Sequence, residues 1–463
     1  MSNRHVAIIG NGITGVTVAR HVRKRDDTAR ITMISGESTH HFSRTALMYI
    51  FMGDLTYNDT KPYEDQFWAK NRIDLRQGWV DQVDLANKSL LFRHGHTMTY
   101  DQLVVATGSK PNRFGWPGED LEGVQSLYSL QDLDVMELNV RNTQHAVIVG
   151  GGLIGVEVAE MLLTRGVKIT YLVRENHFWN SVLPEEEAQL VDREIRRHAI
   201  DLRLNEELQE ILPDPQRRVR AVITKTGEEI PCQMVVLTTG VSPNIGMLQA
   251  SGLECDRGVL VDQYFKTSAD QVWAGGDCAQ HRQPPAGRRA IEPVWYTGRI
   301  HGEHIAANLL GDQVPYKPGL WFNSAKFFDI EYQTYGDVPS RGNAENESFY
   351  WEDPSGRKSL RINFTKATGV VTGVNAFGIR HRHTVWEQWM MEGQTIEQAL
   401  SHLGAVNFDP EFFKQYERDI VNAFNARFPE RTVTLVTKKG LFSEVFQKFR
   451  SPTPNALTGR QAS

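Results

Sequence analysis

Two glycine fingerprints, each set between an apolar strand and a helical pattern, and a change of pattern beyond Tyr316 predict an α/β chain. The expected architecture is two Rossmann-like units, then a C-terminal α+β domain. The first fingerprint, Gly10-Asn11-Gly12-Ile13-Thr14-Gly15, follows Val6-Ala7-Ile8-Ile9. The second, Gly150-Gly151-Gly152-Leu153-Ile154-Gly155, follows Ala146-Val147-Ile148-Val149. In each G-x-G-x-x-G the first glycine makes the tight turn and the second admits a pyrophosphate to the backbone. The third lets the helix close on the strand, with the helix N-terminus facing the phosphates. Two such motifs in one chain imply two dinucleotides and electron transfer between them.

The elements follow in order. The first βαβ unit runs from His5 to about Ser35, with its helix over Thr14 to Arg25 and its second strand at Ile31-Thr32-Met33-Ile34. A helical stretch spans Ser43 to Met52. The apolar run from Gln102 to Ala106 ends in the turn Thr107-Gly108, and Pro111 to Pro117 reads as a linker. The second βαβ unit spans Ala146 to about Val173. Its helix carries Ile154, Val158, Met161 and Leu162 on one face. Met234 to Leu237, ending in Thr238-Thr239-Gly240, echoes the end of the first half. The strand Val272-Trp273-Ala274 enters Gly275-Gly276-Asp277-Cys278-Ala279, and a helix from about Tyr296 to Leu310 stops at Gly311. Beyond Tyr316, alternating stretches such as Ser359 to Phe364 predict antiparallel strands. Thr384 to Met391 and Ile396 to Leu403 predict helices. From about Ser451 the polar, proline-containing end is expected to be disordered.

Bulk properties narrow the class. At 463 residues the chain exceeds one ordinary domain. A net charge of −5 carries no general nucleic-acid footprint. Cys232, Cys255 and Cys278 lie far apart without metal or disulfide spacing. A reducing compartment is therefore expected. No run of about 18 apolar residues exists to span a membrane. The first strand starts near Arg4, so the expectation is a cytoplasmic chain without a signal peptide.

Glu37 follows the second strand of the first unit, where a carboxylate accepts hydrogen bonds from a ribose diol. Alternatively it is a solvated loop residue. In the second unit Val173 takes the acid's place and Arg174 follows. Arg174 could pair with a 2′-phosphate, which leans toward NADPH, although Glu175 comes next and Arg174 also reads as a surface charge. The histidines form no metal constellation. The His301/His304 pair reads as surface.

The ordered set of Gly10–Gly15, Ala106-Thr107-Gly108, Gly150–Gly155, Thr238-Thr239-Gly240 and Gly275-Gly276-Asp277 resembles the two-dinucleotide-binding flavoproteins. These form the pyridine nucleotide–disulfide oxidoreductase superfamily, and the likeness covers roughly residues 4 to 340. The resemblance implies FAD on the first fingerprint and NADH or NADPH on the second. It places Asp277 on the FAD ribityl chain and Val80 against the adenine through its backbone. Glu157, Glu292 and Trp295 would lie near the isoalloxazine and the nicotinamide. Thr45 stands where single-cysteine relatives carry the redox thiol, so thiol chemistry by that route is excluded. Cys278 reads as a small packed residue.

Ser43-Arg44 followed by Leu47 is similar to the ferredoxin and rubredoxin reductase branch and to the flavoprotein part of nitrite reductases. There Arg44 would contact the FAD pyrophosphate. Tyr49 replaces a lysine that usually pairs with the glutamate at Glu157. Without that ammonium, Glu157 either has a raised pKa or pairs elsewhere. The run Trp321 to Glu331 is similar to the strand that closes over the flavin in such proteins.

The resemblance implies a discontinuous FAD domain (1–112 and 244–318), an NAD(P)H domain (113–243), a C-terminal α+β interface domain (319–425) and an extension (426–463). The function expected is an FAD enzyme taking a hydride from NAD(P)H and passing electrons to an external acceptor, an acidic iron–sulfur carrier. Arg380-His381-Arg382-His383 could dock such a carrier or be a solvated turn. An oxygen-using NAD(P)H oxidase and a redox-sensing interaction protein stay open, as does a homodimer through the third domain.

Overall fold

The computed structural model describes residues 4–436. Expectations for the end of the chain, including disorder from Ser451, lie outside the described residues.

Two parallel five-stranded sheets carry the two fingerprints. In the first, the strands run in the order Val272–Ala274, Gln102–Val105, His5–Ile9, Arg30–Ser35 and Ile73–Gln77. In the second the order is Asp201–Leu204, Lys168–Val173, His145–Val149, Met234–Leu237 and Val124–Gln125. Central strands are buried on both faces, which is why Val6-Ala7-Ile8-Ile9 and Ala146-Val147-Ile148-Val149 are continuous apolar runs. Each fingerprint strand lies between its βαβ partner and a strand from later in the chain. The fingerprint turns therefore sit at the carboxyl edge of the sheet, where open α/β sheets bind ligands.

The units are joined by a short antiparallel pair, Ser109–Pro111 with Val241–Pro243. The expected boundaries after residues 112 and 243 fall just beyond these two strands. Helix Ile13–Arg25 packs along helix Trp295–Leu309 through small residues. A Cβ on Gly302 would stand 2.6 Å from Thr17 Cβ, so only glycine lets the helices approach this closely. Thr14 Oγ1 donates to the Gly298 carbonyl at 2.9 Å and fastens the crossing.

The C-terminal domain is a five-stranded antiparallel sheet in the order Phe322–Phe327, Ile330–Gly336, Val371–Phe377, Ser359–Thr365 and Asn346–Glu352. Helices His383–Met391, Ile396–Ser401 and Glu417–Arg427 join its core through Trp386, Trp389, Ile396, Leu400 and Phe424.

Two sequence expectations change here. Strand Ser359–Thr365 is antiparallel as expected, but its polar positions are buried too. Arg361 is enclosed because helix Glu185–Arg197 of the second unit lies against it, and buried Asn363 donates to Asp337 O at 3.3 Å. The boundary expected after residue 425 falls inside helix Glu417–Arg427, whose Ile420, Val421 and Phe424 pack into the sheet. Among the described residues no helix is long and apolar enough to cross a membrane.

Candidate functional site

The two fingerprints have nearly the same backbone. Gly10 and Gly150 both adopt φ +115°, a conformation that side chains rarely take. A Cβ on Gly10 would lie 2.0 Å from the Ala106 carbonyl oxygen, and one on Gly150 2.6 Å from that of Thr238. Gly15 and Gly155 close the helices onto the strands, since added Cβ atoms would meet Gly10 O at 2.0 Å and Tyr171 Oη at 2.5 Å. The middle glycines differ in kind. No atom lies within 4 Å of the Cβ direction of Gly12, and only Thr238 O lies as near as 4.0 Å for Gly152.

Both helices begin at these open positions without a side-chain cap and without an acidic residue in the first turn. Leu153 and Ile154 form the first turn of the second helix. Uncapped N–H groups beside an open cradle suit an anion, so the residues present fit a pyrophosphate at each fingerprint.

The turns facing the cradles come from the strands that pair with each fingerprint strand. Thr107 Oγ1 donates to Asn244 O at 2.7 Å, and Gly108 has φ +67°. Thr238 Oγ1 donates to Val149 O at 3.0 Å, and Gly240 has φ +87°. Asp277 lies in the single 3-10 turn Gly276–Cys278 and accepts from Ser109 Oγ at 3.0 Å. Burial pushes its carboxyl pKa upward. Cys278 is fully enclosed, with Sγ donating toward Val105 O and Gly275 O. Burial raises its thiol pKa, which removes its nucleophile character.

Glu37 and Arg44, expected at separate points of one ligand, face each other. Arg44 donates to both Glu37 oxygens, at 2.9 and 2.6 Å. The Leu130 amide adds a bond to Glu37 at 3.0 Å, and the Arg44 guanidinium lies 4.4 Å from the Tyr128 ring centroid. The pairing has a simple cause, because a guanidinium in a crowded pocket needs a carboxylate. Val80 is buried at the start of a small antiparallel strand. The neighbouring Trp79, not singled out from the sequence, lies against Gly36, where a Cβ would stand 2.2 Å from its ring. It remains 44% exposed, an aromatic face beside Glu37's loop.

Glu157 sits half-buried on helix Leu153–Thr164, which packs on helix Leu47–Met52 carrying Tyr49. Burial, then the charge of Glu160, pushes its pKa up to about 7. An ammonium does reach this helix but binds a different carboxylate: Lys326 of the C-terminal sheet bonds Glu160 at 3.0 Å. Lys326 was not anticipated, because it comes from a strand some 160 residues away. Among the described residues no side chain pairs with Glu157, and its burial acts in the direction of a raised pKa.

Glu292 is not a free carboxylate. Arg288 holds both its oxygens, at 2.6 and 2.7 Å, and both side chains are almost fully enclosed. A spacing of four residues could have signalled this pair. Trp295 opens the next helix and is 41% exposed, edge-on to Tyr296 at 5.4 Å. Val173 is fully buried, and Arg174 is 73% exposed in its side chain and bonded to Glu175 at 2.7 Å.

Three other expectations are corrected or qualified. His301 is buried, not on the surface. The basic cluster is largely neutralised, because Arg380 pairs with Glu331 and His381 is enclosed. His381 Nδ1 accepts from Trp386 Nε1 at 3.1 Å, and burial lowers its pKa to about 3. Glu194, His198 and Asp329 bring three ligand-type atoms within 4.8 Å, a grouping not seen in the sequence. Arg197 and Arg357 already bond Glu194, so opposing positive charge occupies the place.

Residues 4–294 match the family model for pyridine nucleotide-disulphide oxidoreductases. The chain belongs to this family. It is 31% identical over 311 residues to the biphenyl dioxygenase system ferredoxin–NAD(+) reductase component of Paraburkholderia xenovorans (strain LB400), covering 67% of this chain and 76% of that protein. It is 26% identical over 339 residues to the nitrite reductase [NAD(P)H] of Bacillus subtilis (strain 168), covering 73% of this chain but 41% of that protein. Its fold is similar to the ferredoxin reductase for the CYP199A2 system from Rhodopseudomonas palustris. That likeness has TM-score 0.74 and 24% identity over 81% of this chain and 91% of that one. Unlike the family's disulfide-using members, this oxidoreductase has exposed Thr45 bonded to Ser43 Oγ at the expected thiol position, and its three cysteines are free.

Proposed function

We propose that this oxidoreductase is an FAD enzyme that takes a hydride from a reduced nicotinamide dinucleotide and passes electrons to a small iron–sulfur carrier. The observation carrying this reading is the pair of open, uncapped glycine cradles in a chain whose redox-thiol position holds Thr45. FAD supplies the ability to accept a hydride and release electrons singly. The relatives' names point the same way, to reductases of ferredoxin and rubredoxin.

In this reading the first-unit residues Gly10, Gly12, Thr14 and Gly15 hold the FAD pyrophosphate by backbone amides, and Arg44 adds its charge. Glu37, with three bonds already from Arg44 and the Leu130 amide, keeps one lone pair on Oε2 for the ribose diol. Val80 meets the adenine. Ala106, Thr107 and Gly108 bring backbone close to the cofactor, and Asp277 accepts from the ribityl chain. Gly150, Gly152, Leu153, Ile154, Gly155 and Gly240 hold the nicotinamide dinucleotide. Trp295 shields the reacting face from water.

Catalysis by this chain is mainly placement. Glu157 holds a proton at its carboxyl near neutrality, at the junction of the two units, with Tyr49 beside it. Glu292, tied to Arg288, fixes the start of the Trp295 helix and transfers no proton. Glu175, bonded to Arg174, opposes a 2′-phosphate, so NADH is the proposed donor.

Anaerobic stopped-flow reduction of the yellow protein with NADH and NADPH side by side tests the proposal. Bleaching within milliseconds to seconds, faster with NADH, followed by reduction of an added iron–sulfur carrier, is expected. Slow reduction by both, with a long-lived charge-transfer band in air, would overturn it in favour of a redox sensor.

A further inference from the structure

A buried aromatic knot lies directly behind the Asp277 turn. His301, in the middle of helix Trp295–Leu309, packs on Phe265, His281 and Tyr316, with ring centroids at 4.6, 5.5 and 4.9 Å. His281 and Tyr316 are parallel at 5.0 Å. Each of the three polar rings is nearly inaccessible: His301 2%, His281 4%, Tyr316 6% exposed. His301 Nε2, His281 Nε2 and Tyr316 Oη have no hydrogen-bond partner from the protein. An apolar side chain would fill the place of His301 without that cost.

One atom of His301 is satisfied. Its Nδ1 accepts the Gly276 amide at 3.1 Å, and this bond fixes the tautomer with the proton on Nε2. Gly276 is buried and its amide has this bond as its partner, and it sits at φ +74° at the start of the turn that presents Asp277. A Cβ there would meet Thr14 Oγ1 at 2.5 Å, so the turn is pressed between the first fingerprint helix and His301.

We propose that His301 is a positioning residue for the flavin site: its Nδ1 holds the Gly276–Cys278 turn and thereby aims the Asp277 carboxylate. The proposal rests on the reading that Asp277 meets the FAD ribityl chain. The groups facing the imidazole keep it neutral and accepting, since burial lowers its pKa well below the ordinary value, and His281, His304 and Arg288 act in the same direction.

The test is the rate of FAD loss from the holoprotein, followed by flavin fluorescence on dilution, together with the visible flavin spectrum. His301→Leu removes the acceptor and leaves the Gly276 amide unpaired. It is expected to release FAD about 10-fold or more faster and to shift the flavin absorption band. His301→Asn places an oxygen near the Nδ1 position and is expected to stay within about 3-fold of the unaltered protein, on the same hydrogen-bond argument. Asp277→Leu is the control for the underlying reading. If Asp277→Leu leaves FAD release unchanged, the assignment of Asp277 falls. If Asp277→Leu releases FAD but His301→Leu does not, the His301 proposal alone is overturned. Equal loss from the Leu and Asn variants would also overturn it, because packing and not the Nδ1 bond would then be at work.

Discussion

Arg361 offers a quantitative test of how the C-terminal domain is held to the second unit. Its guanidinium is 7% exposed and donates to both oxygens of Glu187, at 2.6 and 2.8 Å. It also bonds Glu186 at 2.7 Å and Ser348 Oγ at 2.6 Å. Glu187 is 0% exposed, whereas Glu186 is 52% exposed. Arg361→Met would leave the Glu187 carboxylate in the interior without a counter-charge, held by its own backbone amide and a long bond from Asn375 at 3.4 Å. Stranding one partner of a buried pair costs about 3–5 kcal/mol. Glu186→Ala removes a half-exposed contact and is expected to cost less than about 1 kcal/mol. The double variant Arg361→Met with Glu187→Leu removes both charges and is expected to recover most of the single-variant loss. Urea unfolding followed by tryptophan fluorescence would measure all four proteins. An Arg361→Met loss below about 1 kcal/mol, or a double variant no better than the single, would refute the view that desolvation of Glu187 governs this junction.

The two cradles can be separated. Gly10→Ala is expected to lose bound flavin, because its Cβ would overlap Ala106 O. Gly150→Ala is expected to keep a yellow protein that NADH no longer reduces, and its visible spectrum with stopped-flow reduction checks both. Buried histidines set an acid limit. Burial lowers His41 and His281 to about 4 and His381 to about 3. Folded values below the unfolded one mean the stabilisation is complete above pH 6.5 and is lost as pH falls. At pH 5 each costs about 2 kcal/mol, so a urea midpoint unchanged between pH 7 and pH 5 would contradict their neutral burial. Glu157, at about 7, is expected to give the rate of reduction by NADH a step between roughly pH 6 and 8. Glu157→Gln should abolish that step without loss of FAD, and a step that survives assigns it to another group.

What the sequence could reveal was local. The strands Val6–Ile9 and Ala146–Val149 and the glycines after them were legible because buried parallel strands and phosphate cradles each demand a residue type at every position. The partners of charged residues were not legible. Arg288–Glu292 and Glu37–Arg44 are short-range pairs, the second joined across a loop, but Glu160–Lys326 and Glu187–Arg361 exist because the fold brings distant elements together. Strand Ser359–Thr365 misled for the same reason, since its Arg361 faces a helix from another domain. His301 read as surface because the spacing of His301 and His304 says nothing of Phe265 and Tyr316, which enclose it.

The bond from Thr14 to Gly298 spans 284 residues. The first fingerprint is thus completed by chain made long after it. At ordinary synthesis rates the wait is roughly 15 to 60 seconds. During that time the sheet around His5–Ile9 lacks both Val272–Ala274 and the helix that covers Thr14 and Thr17. The inserted second unit has all its strands between Val124 and Leu237 and can form first. Its surroundings in the newborn chain are then an already folded insert flanked by two unfinished halves. Cofactor loading is therefore expected only after this late segment is made, and a nascent chain stalled before Gly298 would expose the apolar face of the Ile13–Arg25 helix to chaperones.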